Sequence, residues 1–195
     1  MRIVTGVAKG VRLAPVPEGV RPLSDRAREG VFSSLGPSVL DAAVLDLFAG
    51  TGAIGIEALS RGAAHATFVD RSTKATDTVH RNLEITHLAD RATVETADVH
   101  RYLSGTAPAP FGLAFCDPPY ELAGPDLQEV LQELADGWTD ADATIVLTRG
   151  VKSSMPVIPV HWAVAKELRY GDSLLIAIRP RTVVQDLPGS LPGNA

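Results

Sequence analysis

The sequence is poor in cysteine and has no long apolar run. Cys116 is the single cysteine among 195 residues, so no disulfide can form within the chain and a reducing environment is expected. The apolar run at residues 174–178 is far shorter than the ~20 residues that span a bilayer. Residues 1–6 lack the apolar core of a secretory signal. These absences predict a cytoplasmic protein that does not associate with membranes.

Basic residues are also in the minority, since 18 Lys and Arg stand against 23 Asp and Glu and the net charge is −5. A uniformly acidic protein binds nucleic acid poorly, because phosphate contacts need Lys and Arg. Residues 1–35, however, hold six basic and three acidic residues (net +3), whereas the remainder holds 12 and 20 (net −8). This asymmetry indicates either a chance cluster of surface charges or a basic arm that binds nucleic-acid phosphates. The six candidate residues are Arg2, Lys9, Arg12, Arg21, Arg26 and Arg28.

Turn residues and hydrophobic periodicity divide the chain into three parts. Residues 1–22 predict an N-terminal hairpin extension, because two short extended pieces flank a glycine-containing stretch. Residues 23–180 begin with a helix and then alternate strand and helix signals, and only a tight connection separates the last two strands, as in an antiparallel hairpin. This pattern predicts one α/β domain with a mostly parallel, doubly wound sheet of seven strands and an antiparallel edge. Residues 181–195 predict a flexible tail.

The first parallel strand leads into a glycine-rich loop with the spacing G-x-G-x-x-G at Gly50, Gly52 and Gly55. Such a loop lets the backbone approach a bound cofactor closely. Asp70, at the end of the next strand, can accept hydrogen bonds from ribose hydroxyls. These features fit a nicotinamide dinucleotide as well as they fit S-adenosylmethionine.

Two further carboxylates favour S-adenosylmethionine. Asp46 lies in the strand before the loop, where it can bind the loop's own amides or, through water, the cationic methionine end of the cofactor, whereas a pyrophosphate would be repelled there. Asp98, after the third strand, can accept from an adenine amino group or can simply cap a helix. The predicted cofactor-binding residues are Asp46, Phe48, Ala49, Gly50, Thr51, Gly52, Asp70, Arg71, Asp98 and Val99.

The fourth strand ends in the tetrapeptide Asp117-Pro118-Pro119-Tyr120. Ligands of open parallel sheets bind beyond the carboxyl ends of the strands, so this tetrapeptide is expected to face the cofactor. The Asp117 carboxylate and the Pro118 carbonyl can accept from an exocyclic amino group and turn its lone pair toward a methyl donor, while Tyr120 can stack on a base. The alternative is a Pro-Pro turn with a capping aspartate and a surface tyrosine. The predicted catalytic residues are Asp117, Pro118 and Tyr120.

Together these motifs resemble the class I S-adenosylmethionine-dependent amino-methyltransferases, and the N-terminal residues are similar to the RsmD family in particular. The similar segments are residues 2–6, 10–13, 21–29, 46–55, 57–63 and 170–175. The resemblance implies a Rossmann-like fold and a bacterial enzyme that methylates guanine N2 in 16S ribosomal RNA, within an assembling 30S subunit, on a base swung out of its stack. Two residues depart from the family pattern, since Leu23 stands where threonine is usual and Arg149 where an acid is frequent.

The residues alone leave other activities open. The tetrapeptide serves equally for an adenine in DNA or a glutamine amide in a protein, because each presents a planar amine, and the glycine pattern alone fits a nicotinamide-dependent oxidoreductase. No metal is expected, because the five histidines show no ligand spacing and have no cysteine partner set. Cys116 is expected to pack as a small apolar side chain, and we expect the protein to be a monomer.

Overall fold

The structure is a computed structural model that describes residues 1–15, 23–119, 121–122 and 124–181. Two predicted site residues, Arg21 and Tyr120, lie outside the described residues, as does nearly all of the predicted tail. Within the described ranges, no helix is long and apolar enough to cross a membrane.

Seven strands form one sheet in the part of the chain that the structure describes, in the order β3-β2-β1-β4-β5-β7-β6. The first five strands pair in parallel, whereas β7 pairs antiparallel with both β5 and β6. The predicted α/β fold with its antiparallel edge is therefore confirmed. The strands are β1 (Ala43–Leu47), β2 (His65–Asp70), β3 (Ala92–Thr96), β4 (Phe111–Cys116), β5 (Thr139–Gly150), β6 (Trp162–Tyr170) and β7 (Ser173–Pro180).

Helices connect the strands, and three of the helices begin at a side chain that caps them. Ser24 Oγ accepts from the Ala27 amide at 3.2 Å, and Ser72 Oγ accepts from the Ala75 amide at 3.4 Å. Each cap satisfies one of the amides that a helix leaves unpaired in its first turn. The α-helices are α1 (Asp25–Leu35), α2 (Ala53–Ser60), α3 (Thr73–Thr86), α4 (Val99–Leu103) and α5 (Gly124–Glu133).

The sheet is covered on both faces, as the alternation of strands and helices predicts. One core joins Val44 of β1 to apolar residues of α1, α2 and α3, and Phe32 of α1 meets Phe115 of β4 with ring centroids 5.5 Å apart. The other core joins Leu45 and Leu47 of the same strand to residues of α4 and α5. Successive β1 side chains thus enter opposite cores, which fixes the register of the central strand.

Residues 1–15 form two antiparallel pieces that meet at a bridge between Arg2 and Arg12. The Ile3 amide donates to the Val11 carbonyl at 3.0 Å, and the Gly10 amide donates back to the Ile3 carbonyl at 2.8 Å. These bonds agree with the predicted hairpin geometry.

The described part of this N-terminal segment packs against the helices. Ile3 and Leu13 are buried in the first core. The carboxylate of Glu57, buried on α2, accepts from the Val4 and Thr5 amides at 2.8 and 3.0 Å. Its separation from the domain at residue 22 stays a prediction, but residues 1–15 share the domain's core rather than extending away from it.

Candidate active site

The pocket lies at the carboxyl ends of the parallel strands, where β1 is flanked by β2 on one side and β4 on the other. Strand order reverses at this point, which is where doubly wound folds bind their ligands. The cavity has a volume of about 400 Å³, within the range of small-molecule sites. Ten of the predicted cofactor-binding and catalytic residues line it together: Phe48, Ala49, Gly50, Thr51, Asp70, Arg71, Asp98, Val99, Asp117 and Pro118.

Backbone geometry explains the glycine-rich loop. Gly50 and Gly52 have φ values of 55° and 70°, in the left-handed region where glycine is least strained. Gly55 is required for a different reason, because a Cβ there would lie 2.3 Å from Cε1 of Phe68 on β2. Gly52 is the N-cap residue of α2 and is absent from the pocket wall. Gly52 therefore shapes the loop. It does not line the pocket, and the cofactor contact predicted for it stays a prediction.

Asp46 is only 1% exposed and is not among the residues that line the pocket. Its Oδ2 accepts from the Gly55 amide at 2.9 Å. Burial raises the pKa of this carboxyl to about 8, against the opposing effect of the Gly55 hydrogen bond. Of the two predicted roles, the structure brings Asp46 to the loop's own amide; the contact through water with a cofactor stays a prediction.

Asp70 and Asp98 both reach the pocket and also hold the backbone around it. Asp70 accepts from the Gly50 amide and from the Ser72 amide, each at 2.9 Å. Asp98 caps α4 by accepting from the Arg101 amide at 3.3 Å. A carboxylate offers about four lone-pair sites, so these bonds leave capacity for ribose or adenine donors. The capping role that the sequence left open for Asp98 is confirmed.

Asp117 follows the last residue of β4, and Pro118 and Pro119 line the pocket beside it. Burial raises the pKa of Asp117 to about 6, although a hydrogen bond from the Thr148 side chain opposes the shift. The carboxylate is therefore mostly ionised and able to accept hydrogen bonds at neutral pH. The preceding residue, Cys116, is fully buried, and burial raises the pKa of its thiol, so it packs as an apolar side chain as predicted.

The predicted basic residues divide into two groups. Arg2, Lys9, Arg12 and Arg26 are exposed, as phosphate contacts require. Arg28 does not fit the prediction of a surface charge, because it is 1% exposed. Its Nη2 donates to the main-chain oxygen of Arg2 at 2.6 Å and to Asp25 Oδ1 at 2.7 Å, so α1 turns this side chain inward.

Sequence reasoning missed several residues of the site. Thr148 was not among the predicted residues, although it follows Leu147 of β5, which pairs with Cys116 of β4 directly before Asp117. The pairing of these two neighbouring strands was the available signal. His100 lines the pocket because α4 begins directly after Asp98, and Ala53 and Ile54 line it because α2 begins directly after the loop.

Comparison with known proteins connects this geometry to a family. The family model described as Conserved hypothetical protein 95 matches residues 1–179. The chain is 36% identical over 170 residues to ribosomal RNA small subunit methyltransferase D of Escherichia coli strain K12, which covers 86% of this chain and 83% of that protein. The structure of yhhF from Escherichia coli matches with a TM-score of 0.83 and 33% identity, over 92% of this chain and 97% of that one.

A more distant structure, SMU.776 complexed with SAH, has a TM-score of 0.63 and 15% identity, over 80% of this chain and 50% of that one. It supports the fold alone. The family model spans most of the chain, and the alignment with the Escherichia coli relative spans more than two thirds. The chain therefore belongs to the family of Conserved hypothetical protein 95, which is the RsmD family that its motifs resemble, and it has the class I methyltransferase fold.

Proposed function

We propose that the protein transfers a methyl group from S-adenosylmethionine to the exocyclic N2 amine of a guanine in 16S ribosomal RNA. The main support for this proposal is that two motifs line the same pocket. One is the glycine-rich loop around Gly50, and the other is the segment after β4 with Asp117 and Pro118. The relative named ribosomal RNA small subunit methyltransferase D supports the RNA substrate.

The residues of the pocket fit the proposed cofactor by their chemistry. Asp70 and Asp98 supply acceptors for ribose hydroxyls and an adenine amino group, and Phe48 contributes an aromatic face. Asp46 holds the loop through Gly55 and would act on the cofactor only indirectly. S-adenosylmethionine, when bound, supplies an electrophilic methyl group on a sulfonium.

The target amine is a weak nucleophile because its lone pair is conjugated with the guanine ring. The Asp117 carboxylate and the Pro118 carbonyl would accept its two hydrogens and direct the lone pair at the methyl group. The prolines stiffen the turn, so these acceptors are held in place before substrate arrives. Holding the target amine and the cofactor in one pocket would supply much of the remaining rate. The departing proton passes to Asp117 or to water.

The exposed basic residues of the N-terminal segment and α1 support binding of RNA phosphates. Arg2, Lys9 and Arg12 lie in the segment that packs on α2, and Arg26 lies in the first turn of α1. We propose that they hold RNA within an assembling 30S subunit while the target base leaves its stack. A monomeric protein in the cytoplasm is sufficient for this function, and Tyr120 remains the proposed stacking residue.

The test is incubation of the protein with labelled S-adenosylmethionine and undermethylated 30S subunits, followed by nucleoside analysis. We expect N2-methylguanosine, whereas N6-methyladenosine or label in protein would contradict the substrate. Asp117→Ala should lower turnover by about 100-fold or more and leave binding of S-adenosylhomocysteine nearly unchanged. Asp90→Asn, at an exposed acid outside the pocket, is the control. Undiminished turnover in the Asp117 variant would remove its catalytic role.

A further inference from the structure

Arg28 is a buried arginine with unpaired hydrogen-bond donors. Its Nη2 is paired with Arg2 and Asp25, but its Nε and Nη1 have no hydrogen-bond partner within the described ranges. Leaving buried donors of a charged group unpaired is costly. Burial also lowers the pKa of this guanidinium. The free donors therefore point to a partner that arrives from outside the protein.

Such a partner can reach Arg28 from the pocket, because Arg28 lines it together with Leu23, Ala53 and Ile54. The last two residues belong to the first turn of α2, where the amide groups give the helix its positive end. Leu23 is apolar and offers no competing acceptor. The wall of the pocket thus includes both a buried guanidinium and a helix N-terminus, and each of them favours an anion.

The charged neighbours of Arg28 do not satisfy it. Asp25 accepts a hydrogen bond only from Nη2 of Arg28. Glu57 is the other acid whose charge attracts Arg28. The Glu57 carboxylate already accepts from the Val4 and Thr5 amides and, at 2.8 Å, from Arg61 Nε. Arg61 carries the same charge as Arg28 and repels it. The other charged residues that line the pocket are the acids Asp70, Asp98, Asp117 and Glu121 and the exposed Arg71, so Arg28 is the one buried cation among the pocket residues that the structure describes.

We propose that Arg28 binds the carboxylate of the methionine end of S-adenosylmethionine. This assignment rests on the proposed function. The carboxylate is the single anionic group of that cofactor, and its two oxygens match the planar donors of a guanidinium. Arg28 is then a positioning residue that fixes the methionine end beside α2, so that the sulfonium methyl faces the segment after β4.

An RNA phosphate is the competing source of negative charge. A phosphate on a polymer would have to reach a side chain that is 1% exposed, whereas Arg2, Lys9 and Arg12 offer exposed cations at the surface. A small cofactor that already occupies the pocket meets no such obstacle. The structure therefore favours the carboxylate.

The test compares two ligands that differ at the methionine end. S-adenosylhomocysteine carries the carboxylate, whereas 5′-methylthioadenosine lacks the amino-acid group but keeps the adenosine. Titration calorimetry would measure both dissociation constants for the wild type, Arg28→Gln, Arg28→Lys and the control Arg81→Gln, at an exposed arginine of α3 outside the pocket.

We expect Arg28→Gln to weaken S-adenosylhomocysteine about 10- to 100-fold and to leave 5′-methylthioadenosine within about 2-fold. Arg28→Lys should fall between, because it keeps the charge but loses the fork, and it also serves if the glutamine variant does not fold. Equal weakening of both ligands would overturn the assignment and indicate a structural role. Unchanged binding of both, with a raised KM for 30S subunits, would overturn it in favour of RNA. A wild type that binds neither ligand would contradict the proposed function itself.

Discussion

Replacement of Gly6 by alanine tests how firmly the N-terminal segment is held on α2. Gly6 has a φ of 89°, and a Cβ there would lie 1.8 Å from the main-chain oxygen of Ser60. That oxygen belongs to the last turn of α2, so the helix cannot easily give way. Gly10 provides the matched control, because its φ is 85° but its Cβ would meet nothing within 4 Å.

The two substitutions share a backbone penalty and differ in the contacts that they break. Alanine at a positive φ costs about 1 kcal/mol in either place. Gly6→Ala must also push the N-terminal segment away from Ser60. Ser60 accepts hydrogen bonds from the Val7 amide at 2.8 Å and the Ala8 amide at 3.0 Å, and its hydroxyl donates to the Thr5 carbonyl at 2.6 Å. Three hydrogen bonds at about 1 kcal/mol each bring the expected loss to about 4 kcal/mol for Gly6→Ala.

Urea denaturation of the wild type and both variants would measure the free energy of unfolding. Gly6→Ala should lose about 3 kcal/mol more than Gly10→Ala, with the difference arising from the bonds to Ser60. Equal losses in the two variants would refute this reasoning, since they would show that the segment does not depend on its contact with α2. A loss for Gly6→Ala below about 1 kcal/mol would refute it as well.

Two further predictions concern the reaction and the RNA. Thr148→Val removes the hydrogen bond that favours ionised Asp117, so the pKa of Asp117 should rise from about 6 by roughly one unit. The acid limb of the plot of kcat against pH should move to higher pH by the same amount. An acid limb that does not move would contradict the proposal that kcat depends on ionised Asp117. Replacing Arg2, Lys9 and Arg12 by glutamine should raise the KM for 30S subunits and weaken its salt dependence without changing the affinity for S-adenosylhomocysteine. An equal loss of affinity for 30S subunits and for S-adenosylhomocysteine would argue against a phosphate-binding surface.

The sequence predicts those parts of the site that depend on local chemistry. Gly50 and Asp70 could be placed because a strand, a glycine-rich turn and a second strand determine their positions within about 20 residues of chain. Asp117 could be placed because the end of a parallel strand lies at the same edge of the sheet as the glycine loop. The comparisons agree with the fold that these patterns predict.

Features that depend on contacts between distant parts of the chain could not be predicted. Arg28 carries the same charge as its exposed neighbour Arg26, and only the packing of α1 against the N-terminal segment decides which one is buried. The start of β5 at Thr139 could not be predicted, because the apolar run begins near residue 144 and acidic residues precede it. Helix α4 has five residues, too few for a periodic pattern.

The position of β7 has a consequence for protein synthesis. This strand is the last along the chain, yet it lies between β5 and β6 and pairs with both. A nascent chain that has reached residue 170 carries β5 with an open edge and β6 without its neighbour. Because Thr148 of β5 donates a hydrogen bond to Asp117, the Asp117 carboxylate gains its final surroundings only when residues 173–180 have left the ribosome. Translation that stops before residue 173 therefore yields a protein that holds every predicted site residue but lacks the strand that pairs with Thr148.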